Sequence, residues 1–167
     1  MVEIVGHIRT DLEKLHRWAG QQPVITLLKS NYARDRLECY YGLAVDLKKQ
    51  PTILPASQDP QVTALGDRLL PHWHSALLCK YPTGVGINPH RDHTCFQPWA
   101  VIVNIGEANF FEYDGRARVV TQLHSGDVIR INTKILHGVE PVKSLRYSLT
   151  FRHIKAKFLT LPIDLPV

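Results

Sequence analysis

Three side chains in this sequence have the types and spacing of a metal site. His90 and Asp92 stand two residues apart, a spacing that points both side chains to the same face of an extended segment. His137 follows later and precedes Gly138. Two histidines and one carboxylate, with coordination positions left open, form the ligand set of non-haem Fe(II) oxygenases. The sequence therefore predicts a site for one divalent transition metal at His90, Asp92 and His137.

Other interpretations of the histidines are weaker. A structural zinc site would require four protein ligands, and the cysteines lack the spacing for it. His72 and His74 lie close together, but no carboxylate stands at a matching distance from them. Glycine and proline residues precede His90, namely Gly84, Gly86 and Pro89. Such a loop permits the close backbone approach that an open metal site needs.

A strand predicted near the end of the chain has two faces of different character. Leu145, Tyr147, Leu149 and Phe151 alternate with a polar set, so the apolar residues share a core face. The polar set comprises Arg146, Ser148, Thr150 and Arg152. If it faces solvent, it is an ordinary polar surface. If it lines a barrel interior, the two guanidinium groups need anions, and a dicarboxylate would satisfy them. The nearby metal ligands favour the interior.

The segment from Ser75 to Ile154, about half of the chain, resembles the catalytic core of the AlkB-like 2-oxoglutarate/Fe(II)-dependent dioxygenases. Three motifs carry the resemblance. Leu77-Leu78-Cys79-Lys80-Tyr81 resembles the apolar-Asn-x-Tyr strand of that family, and His90-Arg91-Asp92 resembles its HxD motif. The stretch from Arg146 to Arg152 resembles its Arg-x-Asn-x-Thr-x-Arg signature.

The resemblance implies an enzyme that uses Fe(II), 2-oxoglutarate and O2, with the three metal ligands as its catalytic residues. Arg146 would pair with the far carboxylate of 2-oxoglutarate, and Tyr81 would hydrogen-bond the cosubstrate. Ser148 would line the same site, and Arg152 would lie near the metal-chelating end of the cosubstrate. The implied reaction hydroxylates a C–H bond. When that carbon is bonded to nitrogen, a methyl group leaves as formaldehyde, which is oxidative N-demethylation.

The sequence departs from the family pattern at several positions. Cys79 and Ser148 replace asparagines, which removes two hydrogen-bonding groups from the cosubstrate site. His93-Thr94-Cys95 follows the HxD motif where nucleic-acid demethylases of the family commonly carry acidic residues. The stretch 36–42 resembles the entry to the family's nucleotide-recognition hairpin, but no returning aromatic strand is evident between Leu43 and Leu54.

The surrounding elements predict a mainly β chain of the α+β class. Thr10 to Glu13 form a capping box for a helix that ends at Gly20, and Asp59-Pro60 opens a second helix that ends before Pro71. Alternating strands follow, at 75–81, 99–105, 109–113, 119–124, 128–132 and 145–153. Strands are also candidates at 24–28 and 36–41. This order predicts a double-stranded β-helix (jelly roll) with N-terminal helices packed on one sheet. A β-rich α+β domain of another topology is the alternative.

Length and composition indicate one domain. The 167 residues suit a single core, with 1–74 as helical support and substrate lid and 75–154 as the catalytic jelly roll. No apolar run has the length that spans a membrane, and the N-terminus lacks the pattern of a secretory signal. Three widely spaced cysteines are typical of reduced thiols in a cytoplasmic protein. Nothing in the sequence indicates the oligomeric state.

The features that point to a substrate are less specific. Tyr40, Tyr41 and Trp99 could stack on a base of a single strand, although each is also a common packing residue. The formal net charge is +5, and basic residues that could track phosphates lie around the predicted lid: Lys29, Arg34, Arg36, Lys48 and Lys49. Single-stranded or damaged nucleic acid is thus one candidate partner. A small metabolite, a protein side chain and a jelly-roll binding module without turnover are the alternatives.

Overall fold

The computed structural model describes residues 1–25, 33, 35–47 and 50–159. In this part of the chain the elements are β1 (Glu3–His7), α1 (Leu12–Gly20), β2 (Leu37–Asp46), β3 (Thr52–Pro55), α2 (Pro60–Leu69), β4 (Ser75–Tyr81), β5 (Ile87–His90), β6 (Phe96–Ile105), β7 (Ala108–Asp114), β8 (Ala117–Leu123), β9 (Asp127–Asn132), β10 (His137–Val139), β11 (Arg146–Ile154) and α3 (Ala156–Leu159).

The strands form two antiparallel sheets. The major sheet has seven strands in the order β1-β9-β6-β11-β4-β2-β3, and the minor sheet has four in the order β5-β10-β7-β8. Apolar side chains of both sheets share one buried cluster, which includes Leu77 and Ile102 from the major sheet and Phe110 and Val139 from the minor sheet. Two facing sheets with these strand orders confirm the predicted double-stranded β-helix.

Strand β11 lies in the middle of the major sheet, between β6 and β4, and has the two faces that its alternation predicts. Tyr147, Leu149 and Phe151 pack into the cluster that includes residues of α1 and α2. The helices therefore cover one face of the major sheet, as predicted. The polar set of β11 faces the other way, between the sheets, and Arg146 and Ser148 are buried there. The interior interpretation of this face is confirmed.

The two helices begin differently. Asp59 caps α2 with its side-chain Oδ1, which accepts from the backbone N–H of Gln61 and Val62 at 2.8 and 3.3 Å. The predicted capping box of α1 is wrong. Its N-cap residue is Asp11, which has a φ of 59° and makes no side-chain cap hydrogen bond. A capping side chain reaches the first turn from an extended backbone, so the left-handed conformation of Asp11 prevents it.

The stretch from Leu37 to Pro55 folds back on itself. Strands β2 and β3 pair antiparallel, from Leu43 opposite Pro55 to Asp46 opposite Thr52. A returning strand is therefore present, although it is short and carries no aromatic residue. Of the strand predicted at 24–28, Ile25 forms an isolated bridge to Glu38, and 26–28 lie outside the described residues.

Two further predictions concern thiols and membranes. Cys39, Cys79 and Cys95 are all free. Among the residues described, the helices lack the length and apolar character needed to cross a bilayer.

Candidate metal and cosubstrate site

Two short strands of the minor sheet bring the predicted metal ligands together. His90 ends β5, His137 begins β10, and the two are direct partners across this strand pair. Asp92 follows β5 in a loop that is fixed by the hydrogen bond from its backbone N–H to the carbonyl oxygen of Thr133, at 3.0 Å. One ligand atom from each of the three side chains lies within 4.8 Å of the others. This spacing would allow one ion to contact all three.

Glycines permit this close approach of the strands. A Cβ atom on Gly86 would lie 2.4 Å from the carbonyl oxygen of Val139, and one on Gly138 would lie 2.5 Å from that of Ile87. Both distances are shorter than the contacts that Cβ atoms make in real proteins. Gly138 therefore permits close packing of β10 on its neighbours, rather than leaving space beside the ring of His137.

Backbone carbonyls orient both imidazole rings. His90 Nδ1 lies 2.9 Å from the carbonyl oxygen of Asn88, and His137 Nδ1 lies 2.8 Å from that of Ile135. A carbonyl oxygen can only accept, so Nδ1 carries the proton in each ring and Nε2 carries the lone pair. The two Nε2 atoms lie 3.6 and 3.5 Å from Asp92 Oδ1. Such hydrogen bonds on the far ring nitrogen are the usual means of fixing a metal-binding tautomer.

The other carboxylate oxygen of Asp92 pairs with Arg152. Arg152 Nε donates to Asp92 Oδ2 at 2.8 Å, and the Asp92 side chain is only 4% exposed. Burial raises the pKa of Asp92, but the Arg152 guanidinium outweighs burial and holds the pKa well below its usual range. The carboxylate is thus charged, and Oδ1 faces the two Nε2 atoms.

A second cation lies deeper between the sheets. Arg146 is 1% exposed, and its Nε donates to Asn104 Oδ1 at 2.8 Å. Within the described residues, its Nη1 atom is buried and has no hydrogen-bond partner, and no carboxylate lies within ion-pair distance of the guanidinium. Burial lowers the pKa of Arg146 although Tyr81, whose ring centroid lies 4.7 Å from Cζ, opposes the shift. A buried cation without an anion is costly, so the Arg146 guanidinium suits an anionic partner.

The register of the major sheet shows which residues surround Arg146. Tyr81 is the Cα partner of Arg146, and Ser148 lies between Cys79 on β4 and Asn104 on β6. Asn104 is a polar residue that the sequence interpretation missed. The available signal was a single asparagine in the otherwise apolar stretch from Ala100 to Ile105.

The two tyrosines proposed to contact substrate lie on opposite faces of β2. Tyr41 is 2% exposed and donates to Gln22 Oε1 at 2.5 Å on the helix side of the sheet, so it is separated from the metal ligands. Tyr40 packs against the cluster between the sheets. Burial raises its pKa, while nearby Arg152 lowers it.

The remaining substrate candidates lie away from the metal ligands or outside the described residues. Trp99 is 42% exposed and stacks with Arg130, whose Cζ lies 4.1 Å from the ring centroid. Lys29, Arg34, Lys48 and Lys49 of the predicted basic lid lie outside the described residues.

Comparison with solved structures identifies the class of fold. The structure is similar to that of OsALKBH1, with a TM-score of 0.68 and 16% identity over 91% of this chain and 95% of that one. It is also similar to an oxidoreductase of the 2OG-Fe(II) oxygenase family from Burkholderia pseudomallei, with a TM-score of 0.66 and 15% identity over 88% and 81% of the two chains.

A third similar structure is a prolyl hydroxylase from Trichoplax adhaerens in complex with a peptide fragment of the oxygen degradation domain of hypoxia inducible factor. Its TM-score is 0.67, with 13% identity over 96% of this chain and 87% of that one. No family model and no curated protein matches the sequence. The chain therefore has the fold of the 2-oxoglutarate- and Fe(II)-dependent oxygenases.

Proposed function

We propose that this protein is a 2-oxoglutarate- and Fe(II)-dependent dioxygenase. The observation that carries the proposal is the combination of two sites between the two sheets. One is the cluster of His90, Asp92 and His137, of which His137 is buried and the other two are partly buried. The other is Arg146, which is buried with an unpartnered Nη1 atom. A dicarboxylate that chelates a metal through one end would satisfy the guanidinium with its other end.

In this proposal the chain holds and orients the reactants. His90 Nε2, Asp92 Oδ1 and His137 Nε2 would bind the metal, and Arg152 keeps the Asp92 carboxylate charged and in place. Arg146, Tyr81 and Ser148 would line the cosubstrate site. When bound, Fe(II) with 2-oxoglutarate and O2 supplies the chemistry for hydroxylation of a C–H bond. The ring of Phe110 stacks on that of His137 at 5.8 Å, which excludes water from one side of this ligand.

For the substrate, we propose oxidative N-demethylation of a base in single-stranded or damaged nucleic acid. The motifs between Ser75 and Arg152 that resemble AlkB-like enzymes support this class, as do the net charge of +5 and the likeness of the fold to OsALKBH1. Tyr40 is the proposed contact to the base.

The three free cysteines support a reducing compartment, the cytoplasm. We also propose that 1–167 act as one catalytic domain.

A protein side chain is the second candidate substrate. The observation that favours it is the likeness to a prolyl hydroxylase in complex with a peptide fragment. The acidic residues that would follow the HxD motif in a nucleic-acid demethylase are absent from the sequence 93–95, which also favours this class. Both candidates use the same metal and cosubstrate, so one assay separates them.

The test is a turnover assay with a matched histidine control. Wild-type protein should bind one Fe(II) per chain without oxygen and then convert 2-oxoglutarate to succinate. Succinate release should rise with an N-methylated oligonucleotide, with loss of a methyl mass and release of formaldehyde, rather than with proline-containing peptides. His137→Ala should weaken metal binding by more than about 100-fold, because even outer residues of metal sites contribute 10–100-fold.

His124→Ala is the control, since this side chain is 64% exposed and pairs with Glu107. It should keep metal binding and turnover. A His137→Ala variant with full metal loading and turnover would contradict the proposed site. Metal and cosubstrate binding without any turnover would instead favour a binding module.

A further inference from the structure

Arg36 and Glu38 form a buried ion pair beside the cosubstrate site. Arg36 Nε donates to Glu38 Oε1 at 3.1 Å, and Arg36 Nη2 donates to the same oxygen. The side chains are only 14% and 17% exposed. Glu38 lies on the inter-sheet face, because it is the Cα partner of Cys79. The pair therefore contributes to the inner wall of the barrel and not to its surface.

The third nitrogen of this guanidinium contacts a residue of the cosubstrate site. Arg36 Nη1 donates to the Tyr81 hydroxyl oxygen at 3.3 Å. A hydroxyl group has one proton of its own, and here its oxygen already accepts a proton from Arg36. The Tyr81 proton must then point to an acceptor elsewhere. Neither Arg36 nor Arg146 can accept it, because guanidinium groups only donate.

The charges around Tyr81 are unbalanced by one unit. Glu38 neutralises Arg36. Burial lowers the pKa of Arg36, but Cys79, Tyr81 and Glu38 together outweigh burial and raise this pKa. Arg146 has no such partner within the described residues, and its Nη1 atom is unpartnered. The three groups Arg36, Glu38 and Arg146 together therefore carry one net positive charge. A carboxylate placed there could accept from both Arg146 Nη1 and the Tyr81 hydroxyl.

The sheet register explains why Arg36 can act at this position. Glu38, Cys79, Ser148 and Asn104 are successive Cα partners across β2, β4, β11 and β6. The two central side chains of this row are small, and the long polar side chains come from the flanking strands. The hydrogen-bonding groups that asparagines at 79 and 148 would supply are thus supplied from one strand further out on each side.

We propose that Arg36, held by Glu38, is a positioning residue that directs the Tyr81 hydroxyl proton towards the distal carboxylate of 2-oxoglutarate. The inference rests on the proposed function and adds to it a preference among 2-oxo acids. Arg36 should matter for 2-oxo acids that carry a distal carboxylate and not for those that lack one. It should act only when the Tyr81 hydroxyl is present.

The experiment measures equilibrium binding of two ligands to the full-length, Fe(II)-loaded protein without oxygen, by titration calorimetry. The ligands are 2-oxoglutarate and 2-oxopentanoate, which has the same chain length but no distal carboxylate. The variants are Arg36→Met/Glu38→Gln, which removes both charges together, Tyr81→Phe, and their combination. Arg118→Met/Glu140→Gln is the control, because it removes an ion pair of 3.0 Å on the other sheet.

Arg36→Met/Glu38→Gln and Tyr81→Phe should each weaken 2-oxoglutarate binding by about tenfold, the change that corresponds to about 1.4 kcal/mol. The combination should be no weaker than Tyr81→Phe alone, which is the signature of two residues acting through one contact. Binding of 2-oxopentanoate should stay within twofold in every variant, and the control should bind both ligands as wild type does.

Several results would overturn the inference. These are unchanged 2-oxoglutarate binding in Arg36→Met/Glu38→Gln, additive losses in the combination, or equal losses for both ligands. If wild-type protein shows no preference for 2-oxoglutarate over 2-oxopentanoate, the proposed function fails and this inference fails with it. Melting temperatures are measured in parallel. Arg36→Ala/Glu38→Ala, with the same expected losses, replaces the first variant if that variant does not fold.

Discussion

At the scale of single residues, Arg146 has opposite effects on folding and on binding. Its guanidinium is buried between the sheets with a neutral acceptor, Asn104, at 2.8 Å. Burying a charge without a counter-charge disfavours the folded state. The same charge is then available to a carboxylate without further loss of hydration. A residue with this combination lowers the stability of the free protein and raises its affinity for an anion.

Arg146→Met should therefore separate the two effects. We expect the free energy of unfolding of the ligand-free variant to stay equal or to rise by up to about 2 kcal/mol, since apolar replacements of buried ions are often neutral or stabilising. We expect 2-oxoglutarate binding to weaken by about 2–5 kcal/mol, the usual cost of truncating one partner of a buried charge pair. Urea unfolding and calorimetry measure the two quantities.

Arg146→Lys is the conservative comparison. It keeps the charge but loses the fork geometry, so it should restore only part of the binding. Wild-type affinity for 2-oxoglutarate in Arg146→Met would show that this arginine lies outside the cosubstrate site.

At the scale of elements, the positions of the candidate metal ligands depend on how closely β5, β10 and β7 pack. A Cβ atom on Gly138 would lie 2.5 Å both from the Ile87 carbonyl oxygen and from Phe111 Cζ. Gly138→Ala should thus push β10 away from its neighbours and displace His137. Overpacking of this kind costs about 1–3 kcal/mol, and we expect a loss of Fe(II) affinity beside the loss of stability.

Gly6→Ala is the matched control, since a Cβ atom there meets nothing within 4 Å. Thermal unfolding and metal titration of both variants provide the check. Metal binding and stability equal to those of wild type in Gly138→Ala would mean that the strands can separate without disturbing the site.

The sequence could predict the elements with a clear period and the residues they carry. The alternation in β11 is long enough to assign both of its faces, and the bounds predicted for β4 are those of the structure. Strands β5 and β10 have only four and three residues, which is too short for a period to be visible. They were missed although they carry two of the three candidate ligands.

The features that could not be predicted from the sequence depend on the pairing of strands that are distant in the chain. Tyr40 and Tyr41 must face opposite ways in a strand, but only the pairing of β2 with β4 decides which of them faces the space between the sheets. The same pairing brings Glu38 opposite Cys79, and a hydrogen bond of 3.3 Å then links Arg36 to Tyr81. Before the structure, Arg36 could be interpreted only as one of several basic residues in a lid.

At the scale of the whole molecule, the net charge of +5 bears on the nucleic-acid hypothesis. Arg36 is paired with Glu38, so it is not available to a phosphate, and Lys48 and Lys49 remain candidates on sequence alone. Binding to a short single strand should weaken with salt. The logarithm of the binding constant should fall with the logarithm of the salt concentration, with a slope of about 0.7 per phosphate contacted. Lys48→Ala/Lys49→Ala should therefore reduce the slope by about 1.4 if both contact phosphates.

Lys14→Ala/Arg17→Ala is the control, because it removes two positive charges from α1 on the helix side of the major sheet. It should leave the slope close to that of wild type. Fluorescence anisotropy at several salt concentrations measures both. Equal slopes in the two variants would argue against a specific basic lid, and absence of binding would favour the peptide class of substrate.

The central position of β11 has a consequence for synthesis on the ribosome. This strand follows all other strands of the described chain, yet it lies between β4 and β6. The candidate metal ligands at 90, 92 and 137 therefore emerge before the strand that carries Arg146 and Arg152. Until β11 inserts, β4 and β6 expose unpaired apolar edges, which is the state most prone to aggregation. The nascent protein would thus hold all three candidate metal ligands before the proposed cosubstrate site is complete.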